Sequence, residues 1–259
     1  MSDILEELSA ARRRDAEDAE RQLPLGEVMR RLEGAPGPRD FAAAFRGEGV
    51  HVIAELKKAS PSEGLIREDF RPVELAKGFE AAGAAALSVL CEPHRFLGGV
   101  DYLKAARAEV KIPVLFKDFV TTPYQVAAAR LAGADAVLFI AAVLDDALLA
   151  SLLAQARSLG FAALVETHTA EEIDRAVAAG ADVIGVNCRD LRTFKTDPAI
   201  TASLIGTIPS RCVRIAESGI RTAEDIAMLR AAGADGFLIG TTLMRAPDPA
   251  AKLGAMIGQ

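Results

Sequence analysis

The chain has no tryptophan and only two tyrosines among its 259 residues. It therefore lacks the aromatic platforms on which single-stranded nucleic acids stack. It also lacks a basic surplus: 30 Lys and Arg stand against 36 Asp and Glu, a net charge of −6. No nucleic-acid partner is expected, and an anionic ligand must be held by a local cluster of cations or backbone amides. No apolar run approaches the ~20 residues of a membrane-spanning helix, so no membrane partner is expected. The N-terminal stretch MSDILEELSAARRRDAEDAE is too charged for a signal peptide. Cysteine is scarce. Cys91, Cys188 and Cys212 are odd in number and show no CxxC spacing, which fits reduced, metal-free thiols of a cytoplasmic protein.

What is present is a 51% hydrophobic, 25% charged chain, the balance of a globular enzyme. Its length is close to the roughly 250 residues of one (β/α)8 barrel. Residues 3 to about 22 place Ile4, Leu5, Leu8 and Ala11 at helical spacing. Leu23-Pro24-Leu25 breaks that helix, a second short one follows to about Arg31, and Gly34 to Pro38 reads as a linker before a brief helix near Phe41–Arg46. Residues 1–48 are thus an N-terminal helical extension, packed on the barrel, capping it or serving as a lid. Residues 49–259 are the catalytic barrel.

From Val50 onward strands and helices alternate. Ala-Gly-Ala recurs at Gly83, Gly133, Gly180 and Gly233, at intervals of 50, 47 and 53 residues. Each glycine suits the left-handed residue that closes a helix before a strand. Each interval holds two strand–helix units. Eight strands result, near 51–55, 84–90, 113–117, 135–141, 161–166, 182–187, 212–217 and 235–240. The expected fold class is α/β, a single (β/α)8 TIM barrel with an N-terminal helical extension. An open doubly wound sheet is the alternative, but no G-x-G-x-x-G follows the first strand.

Chemistry in such barrels sits at the C-terminal strand ends. Strands one, three, five and seven exit into charge: Glu55 and Lys57, Lys117, Glu166, and Glu217-Ser218. On one rim they converge on one cavity. A carboxylate and an ammonium leaving a buried strand are costly unless paired or used; a structural ion pair at the strand end is the plainer reading of Glu55 and Lys57 alone. A phosphate site is expected where loops seven and eight carry Gly219 and then Ile239-Gly240-Thr241, with Ser60 added from loop one and Thr222 as a helix cap. Pro61, Phe96, Phe119, Leu138 and Leu191 fall at or just past strand ends and suit a flat apolar ring beside a polar tail. His94 and His168 also lie near strand ends, where a structural role is commoner than a catalytic one. His51 begins a strand at the opposite end.

Five motifs in order carry a resemblance: VIAELKKASPS (52–62), PVLFKDF (113–119), VETH (165–168), GVNCRDL (185–191) and AESGI (216–220). SVLCEPHRF (88–96) and LIGTTLM (238–244) add to it. Together they resemble the indole-3-glycerol-phosphate synthase family. The resemblance implies a carboxy-lyase of tryptophan biosynthesis with no cofactor and no metal. Such an enzyme closes the indole ring of 1-(2-carboxyphenylamino)-1-deoxyribulose 5-phosphate with loss of CO2 and water. It implies Lys117 as the acid on the ribulose carbonyl, and Lys57 as partner of the anthranilate carboxylate and an acid in dehydration. Glu166 and Glu55 become the proton carriers of the later steps. Asn187, Arg189, Glu217 and Ser218 would orient substrate and catalytic side chains. Ser60, Gly219, Gly240 and Thr241 would hold the phosphate. Glu63 stands where Lys is common in the family, and Cys91 and Cys188 where Thr and Asn are. Two other functions remain open on the same fold, a Schiff-base aldolase with Lys117 as nucleophile and a non-catalytic barrel subunit. The chain holds no second isomerase domain, so one activity is expected, with other tryptophan-pathway enzymes as potential partners.

Overall fold

A computed structural model describes residues 4–187, 189 and 198–258. Eight parallel strands close a barrel: β1 (Val52–Leu56), β2 (Ala86–Leu90), β3 (Val114–Lys117), β4 (Ala136–Ile140), β5 (Ala162–Thr167), β6 (Val183–Asn187), β7 (Val213–Glu217) and β8 (Gly236–Ile239). Each strand pairs with its sequence neighbours, and β8 returns to β1 through Ile53↔Leu238 and Ala54↔Ile239. Two helices precede the barrel, α1 (Ile4–Gln22) and α2 (Leu25–Leu32). The outer layer comprises α3 (Pro72–Ala81), α4 (Val100–Glu109), α5 (Pro123–Leu131), α6 (Asp146–Ser158), α7 (Ala170–Ala178), α8 (Pro198–Ile205), α9 (Ala223–Ala231) and α11 (Pro249–Ile257). The one-turn α10 (Thr241–Met244) lies directly after β8.

The Ala-Gly-Ala repeat has one physical cause. Gly83, Gly133, Gly180 and Gly233 take φ between 84° and 105°, where a side chain is strained. The glycine N–H then bonds back three residues and the next alanine N–H five, as in Gly133 N to Arg130 O and Ala134 N to Ala129 O. This is the double hydrogen bond that ends a helix on a left-handed residue. The second alanine of each triplet is buried, so a larger side chain would be forced against the helix just completed. At the other helix ends, Thr122 and Thr222 form reciprocal capping boxes on α5 and α9 with Gln125 and Asp225, holding the turns that follow β3 and β7.

The core has an inner and an outer part. The outer cluster holds the helix-facing residues, among them Val52, Ala54, Val186 and Ile239. The inner one holds Ile53, Leu115, Leu138, Leu164, Val183, Ile215 and Leu238. The extension closes the inner core at both ends. Phe41 and Phe45, from the 3-10 turn Ala42–Phe45, meet edge-on with centroids 5.1 Å apart at the N-terminal end. A Cβ on Gly236 would collide with Phe45. Leu5 and Leu8 of α1 join the same cluster beside Phe119 and Ile140, at the C-terminal end. Bottom plug and top cover are therefore both present, formed by different segments.

Candidate active site

Glu55, Lys117, Glu166 and Glu217 come from β1, β3, β5 and β7, and together they make one layer. Alternate strands of an eight-stranded barrel contribute to the same level of its interior, so four charges some 50 residues apart in sequence are brought face to face. All three carboxylates are buried. Lys117 Nζ donates to Glu166 Oε2 at 2.7 Å and lies 3.8 Å from Glu217 Oε2. Lys57 Nζ is 2.8 Å from Glu55 Oε2. Asn187 Nδ2 donates to Glu166 Oε1 at 3.1 Å, and its own Oδ1 accepts from the Arg189 amide at 3.0 Å.

The layer sorts its protons. Burial works against the charge on Lys117, but Glu166, Glu217 and Glu55 around it outweigh that and hold its pKa above the ordinary lysine value. Burial also opposes ionisation of Glu166; the Lys117 and His168 charges and the bonds from Lys117 and Asn187 prevail, and its pKa is lowered. Glu217 goes the other way, raised by burial first and then by the Glu166 charge, with only partial relief from Lys117. Neighbouring carboxylates that cannot both ionise divide into an anion and a neutral acid. The layer thus sets an ammonium against one carboxyl that ionises more readily than usual and one that holds its proton more tightly.

Two adjoining cavities open on this layer. The first is lined by Phe96, Phe119, Leu138 and Ile140 with Ile4, Leu5 and Leu8 of α1, and it reaches Glu55, Lys57, Lys117, Glu166, Asn187 and Glu217. Phe96 and Phe119 lie 6.2 Å apart between centroids, tilted by 45°. The second is polar, lined by Gly219, Arg221, Gly240, Thr241, Thr242, Glu63 and Arg245. Glu55, Lys57, Arg189, Ser218 and Leu238 line both. Ser218 and Gly219 are left-handed, with φ of 65° and 71°, which turns the chain sharply at the junction of the two cavities. Ser218 has a side chain that disfavours this conformation, a local cost of the kind found at functional rims.

Most residues expected at the site are brought together there. Ile239 lines the polar cavity where the Ile239-Gly240-Thr241 stretch was expected, while its side chain joins the outer, helix-facing cluster. Cys91 belongs to the same outer cluster, with its Sγ donating to Val89 O. It lies outside the lining of both cavities. Ser60 to Gly64, expected as an open loop, closes as a small hairpin in which Ala59–Ser60 pairs antiparallel with Gly64–Leu65. This places Ser60, Pro61 and Ser62 on the apolar cavity, with Ser62 Oγ 3.1 Å from Arg189 Nη1. Glu63 does not face the polar cavity as a bare negative charge, because it is paired with Arg245. Leu191 and Cys188 lie outside the described residues.

Sequence reasoning missed two contributors, Arg12 and Arg245, and named His168 only as a residue near a strand end. Arg12 of α1 forks onto Asp118, the residue after Lys117, with Nε to Oδ1 at 2.9 Å and Nη2 to Oδ2 at 2.7 Å. Asp15 accepts from Arg12 and faces His94 Nε2 at 2.8 Å, and Arg95 reaches Glu7. The charged face of α1, which reads as a solvated surface, thus ties the helix over the strand ends. Arg245 was missed because nothing local marks it. His168 sits 3.6 Å from Glu166 Oε1 and 3.5 Å from Glu172 Oε2, in contact with the layer through Glu166.

A profile of the family described as indole-3-glycerol phosphate synthase matches residues 5–256. The indole-3-glycerol phosphate synthase of Mycolicibacterium gilvum is 45% identical over 254 residues, covering 98% of this chain and 93% of that protein. That of Aromatoleum aromaticum is 44% identical over 262 residues and the full length of both. Among solved structures, 3-hexulose-6-phosphate synthase from Salmonella typhimurium superposes with a TM-score of 0.64 at 19% identity, over 81% of this chain and 99% of that one. That likeness speaks to the barrel alone.

Proposed function

The chain belongs to the indole-3-glycerol phosphate synthase family, and on that premise we infer that it is the carboxy-lyase of tryptophan biosynthesis that makes indole-3-glycerol phosphate. The observation that carries the site-level reading is the position of Lys117. It is a half-buried ammonium between Glu166 and Glu217, where an apolar cavity meets a polar one. The substrate has a matching form, an aromatic ring at one end and a phosphate at the other.

In this reading the ring lies among Phe96, Phe119, Leu138 and Pro61, under Leu5 and Leu8 of α1. The phosphate lies against the amides near Gly219, Gly240 and Thr241, while Ser60 lies on the apolar cavity. The ribulose chain then crosses the charged layer. Lys117 gives a proton to the C2 carbonyl oxygen as the carboxylate-bearing ring carbon attacks C2. A lysine whose charge the surrounding acidic groups maintain is suited to that task and poorly suited to act as a nucleophilic amine, which disfavours the aldolase reading. Lys57 holds the anthranilate carboxylate until CO2 departs, sharing its charge with Glu55. Glu166 and Glu55 take up and return protons in the loss of CO2 and water. Asn187 and Arg189 hold Glu166 and the rim in register. The carboxyl of Glu217 keeps Lys117 aligned, and Ser218 sets the turn between the cavities.

Among the described residues no helix is long and apolar enough to cross a membrane, and we place the reaction in the cytoplasm. The test is product fluorescence. Adding the carboxyphenylamino-deoxyribulose phosphate to the protein should give rising indole emission, and Lys117→Ala should abolish the rise. Absence of emission from the unaltered protein despite saturable substrate binding would refute the activity. A borohydride-trapped adduct on Lys117 would replace general-acid chemistry with imine chemistry.

A further inference from the structure

Gly185 lies on β6 in register with Glu166 of β5. It occupies an inward position, between Val183 of the inner core and Asn187, which bonds Glu166. Its neighbours Ile184 and Val186 face the helices. The backbone does not require glycine here, since Gly185 is absent from the positive-φ residues. The space does. A Cβ built on Gly185 would overlap Glu217 Oε1 and stand 3.1 Å from Glu217 Cδ and 3.2 Å from Leu164 Cδ1. The end of a glutamate side chain is ordinarily free to move aside, but this one is buried 3.8 Å from Lys117 Nζ, so yielding to a Cβ would carry it out of its place in the layer.

We propose that Gly185 is a positioning residue for the reaction: by carrying no side chain it leaves the space in which the Glu217 carboxyl lies beside Lys117 and Glu166. The same device recurs once in the layer. A Cβ on Gly240, just past β8, would collide with Glu55 Oε2 and stand 3.0 Å from Lys57 Nζ. Glycines at even-numbered strands thus make room for carboxylates of odd-numbered ones. Gly185 is the cleaner case, because Gly240 also lines the polar cavity. Glu217 is faced by Lys117, Glu166 and Glu55, with Asn187 and His168 behind Glu166. Displacing its carboxyl changes which of these groups holds the proton at neutral pH.

The inference rests on the reaction proposed above. Its test is a double-mutant cycle of Gly185→Ala against Glu217→Asp, the latter shortening the acid by one methylene. Gly185→Ala alone should lower kcat by about a hundredfold, the scale of an ångström's misplacement of a catalytic group, and shift the pH profile of kcat. In the Glu217→Asp background the same glycine change should cost far less, a departure from additivity well beyond the roughly twofold scatter of uncoupled sites. Equal costs in both backgrounds would overturn the proposal and assign the obstacle to Leu164. So would a Gly185→Ala enzyme with unaltered kcat and pH profile. If Gly185→Ala alone does not fold, recovery of a folded protein in the Glu217→Asp background supports the proposal, and failure in both backgrounds sinks it. Read as thermal midpoint against pH, the cycle needs no substrate. An error in the assigned reaction would then leave that coupling intact, while an error about Gly185 would remove it.

Discussion

The two ends of this barrel both bury charge, and they treat it in opposite ways. At the N-terminal end Asp135 is fully buried and accepts from the Arg39 amide at 2.7 Å, the Val114 amide at 3.0 Å and Arg107 Nη2 at 3.0 Å. Arg39 is itself bonded to the Ile112 carbonyl. Asp235 accepts from the Arg214 amide and guanidinium. These anions are met by backbone amides and arginines, which hold a fixed charge. At the C-terminal end Glu55, Lys117, Glu166 and Glu217 are met chiefly by one another, and Lys57 and Asn187 complete the set. Such a set can redistribute protons when a ligand enters. The bottom is built to keep its charges still and the top to let them move.

The sharpest way to break that contrast is Lys117→Ala. Loss of the acid should lower kcat by about 10²–10⁴-fold, measured by indole emission, with the protein still folded. Retained turnover would end the comparison. Asp135→Ala is its mirror. Breaking a buried pair and leaving Arg107 and two amides without their acceptor should cost about 3–5 kcal/mol of stability, read by denaturant titration, with kcat unchanged in the folded enzyme. A fall in kcat would mean that the two ends are coupled. Arg12→Ala lies between these extremes, because α1 is both packing and roof. We expect about 2 kcal/mol of destabilisation from the lost charged hydrogen bonds and a rise in KM larger than any fall in kcat.

A smaller effect concerns pH. Burial lowers the His168 pKa, but the bond to Glu172 and the charge of Glu166 more than offset it, and the folded value is raised. A raised folded pKa means that the native state holds the proton more tightly. The stability gained is complete below the unfolded value of about 6.5 and is lost as pH rises through the folded one. His168→Gln should flatten that decline, seen in thermal midpoints taken from mildly acidic to alkaline pH; an unchanged decline would exclude His168 as its source. The smallest change expected is from Glu63→Lys, which frees Arg245 and adds a cation beside the polar cavity. Exposed pairs carry little energy, so KM should fall by only about two- to fivefold. A rise in KM would show that the Glu63–Arg245 pair shapes the cavity rather than holding a cation back.

Much of this was legible in the sequence because it is local. Helix ends write themselves as Ala-Gly-Ala, since a left-handed residue followed by a buried small one leaves few choices. Charge at strand ends one, three, five and seven could be read because polar groups at the exit of apolar runs are conspicuous. The fate of α1 could not. Its Arg12, Asp15 and Glu7 have the spacing of a solvated face, and only the approach of Asp118, His94 and Arg95 turns them into a clasp. Which strand residues face the helices could not be read either, as with Ile239 and Cys91, whose side chains join the outer cluster. A strand's period of two states that neighbours face opposite ways, and the closed barrel decides which way is inward.

The sequence alone determined the number and order of the strand–helix units, the turns that join them and the types of residue at each strand end, all set by interactions a few residues apart. Tertiary structure alone decided that four titratable groups from alternate strands share one level, that two carboxyls of that level are pushed in opposite directions, and that Gly185 leaves the space one of them occupies. Those outcomes depend on barrel closure and register, which place atoms within 4 Å across 32 residues of chain for Gly185 and Glu217 and across 100 for Lys117 and Glu217, and no local pattern records such distances.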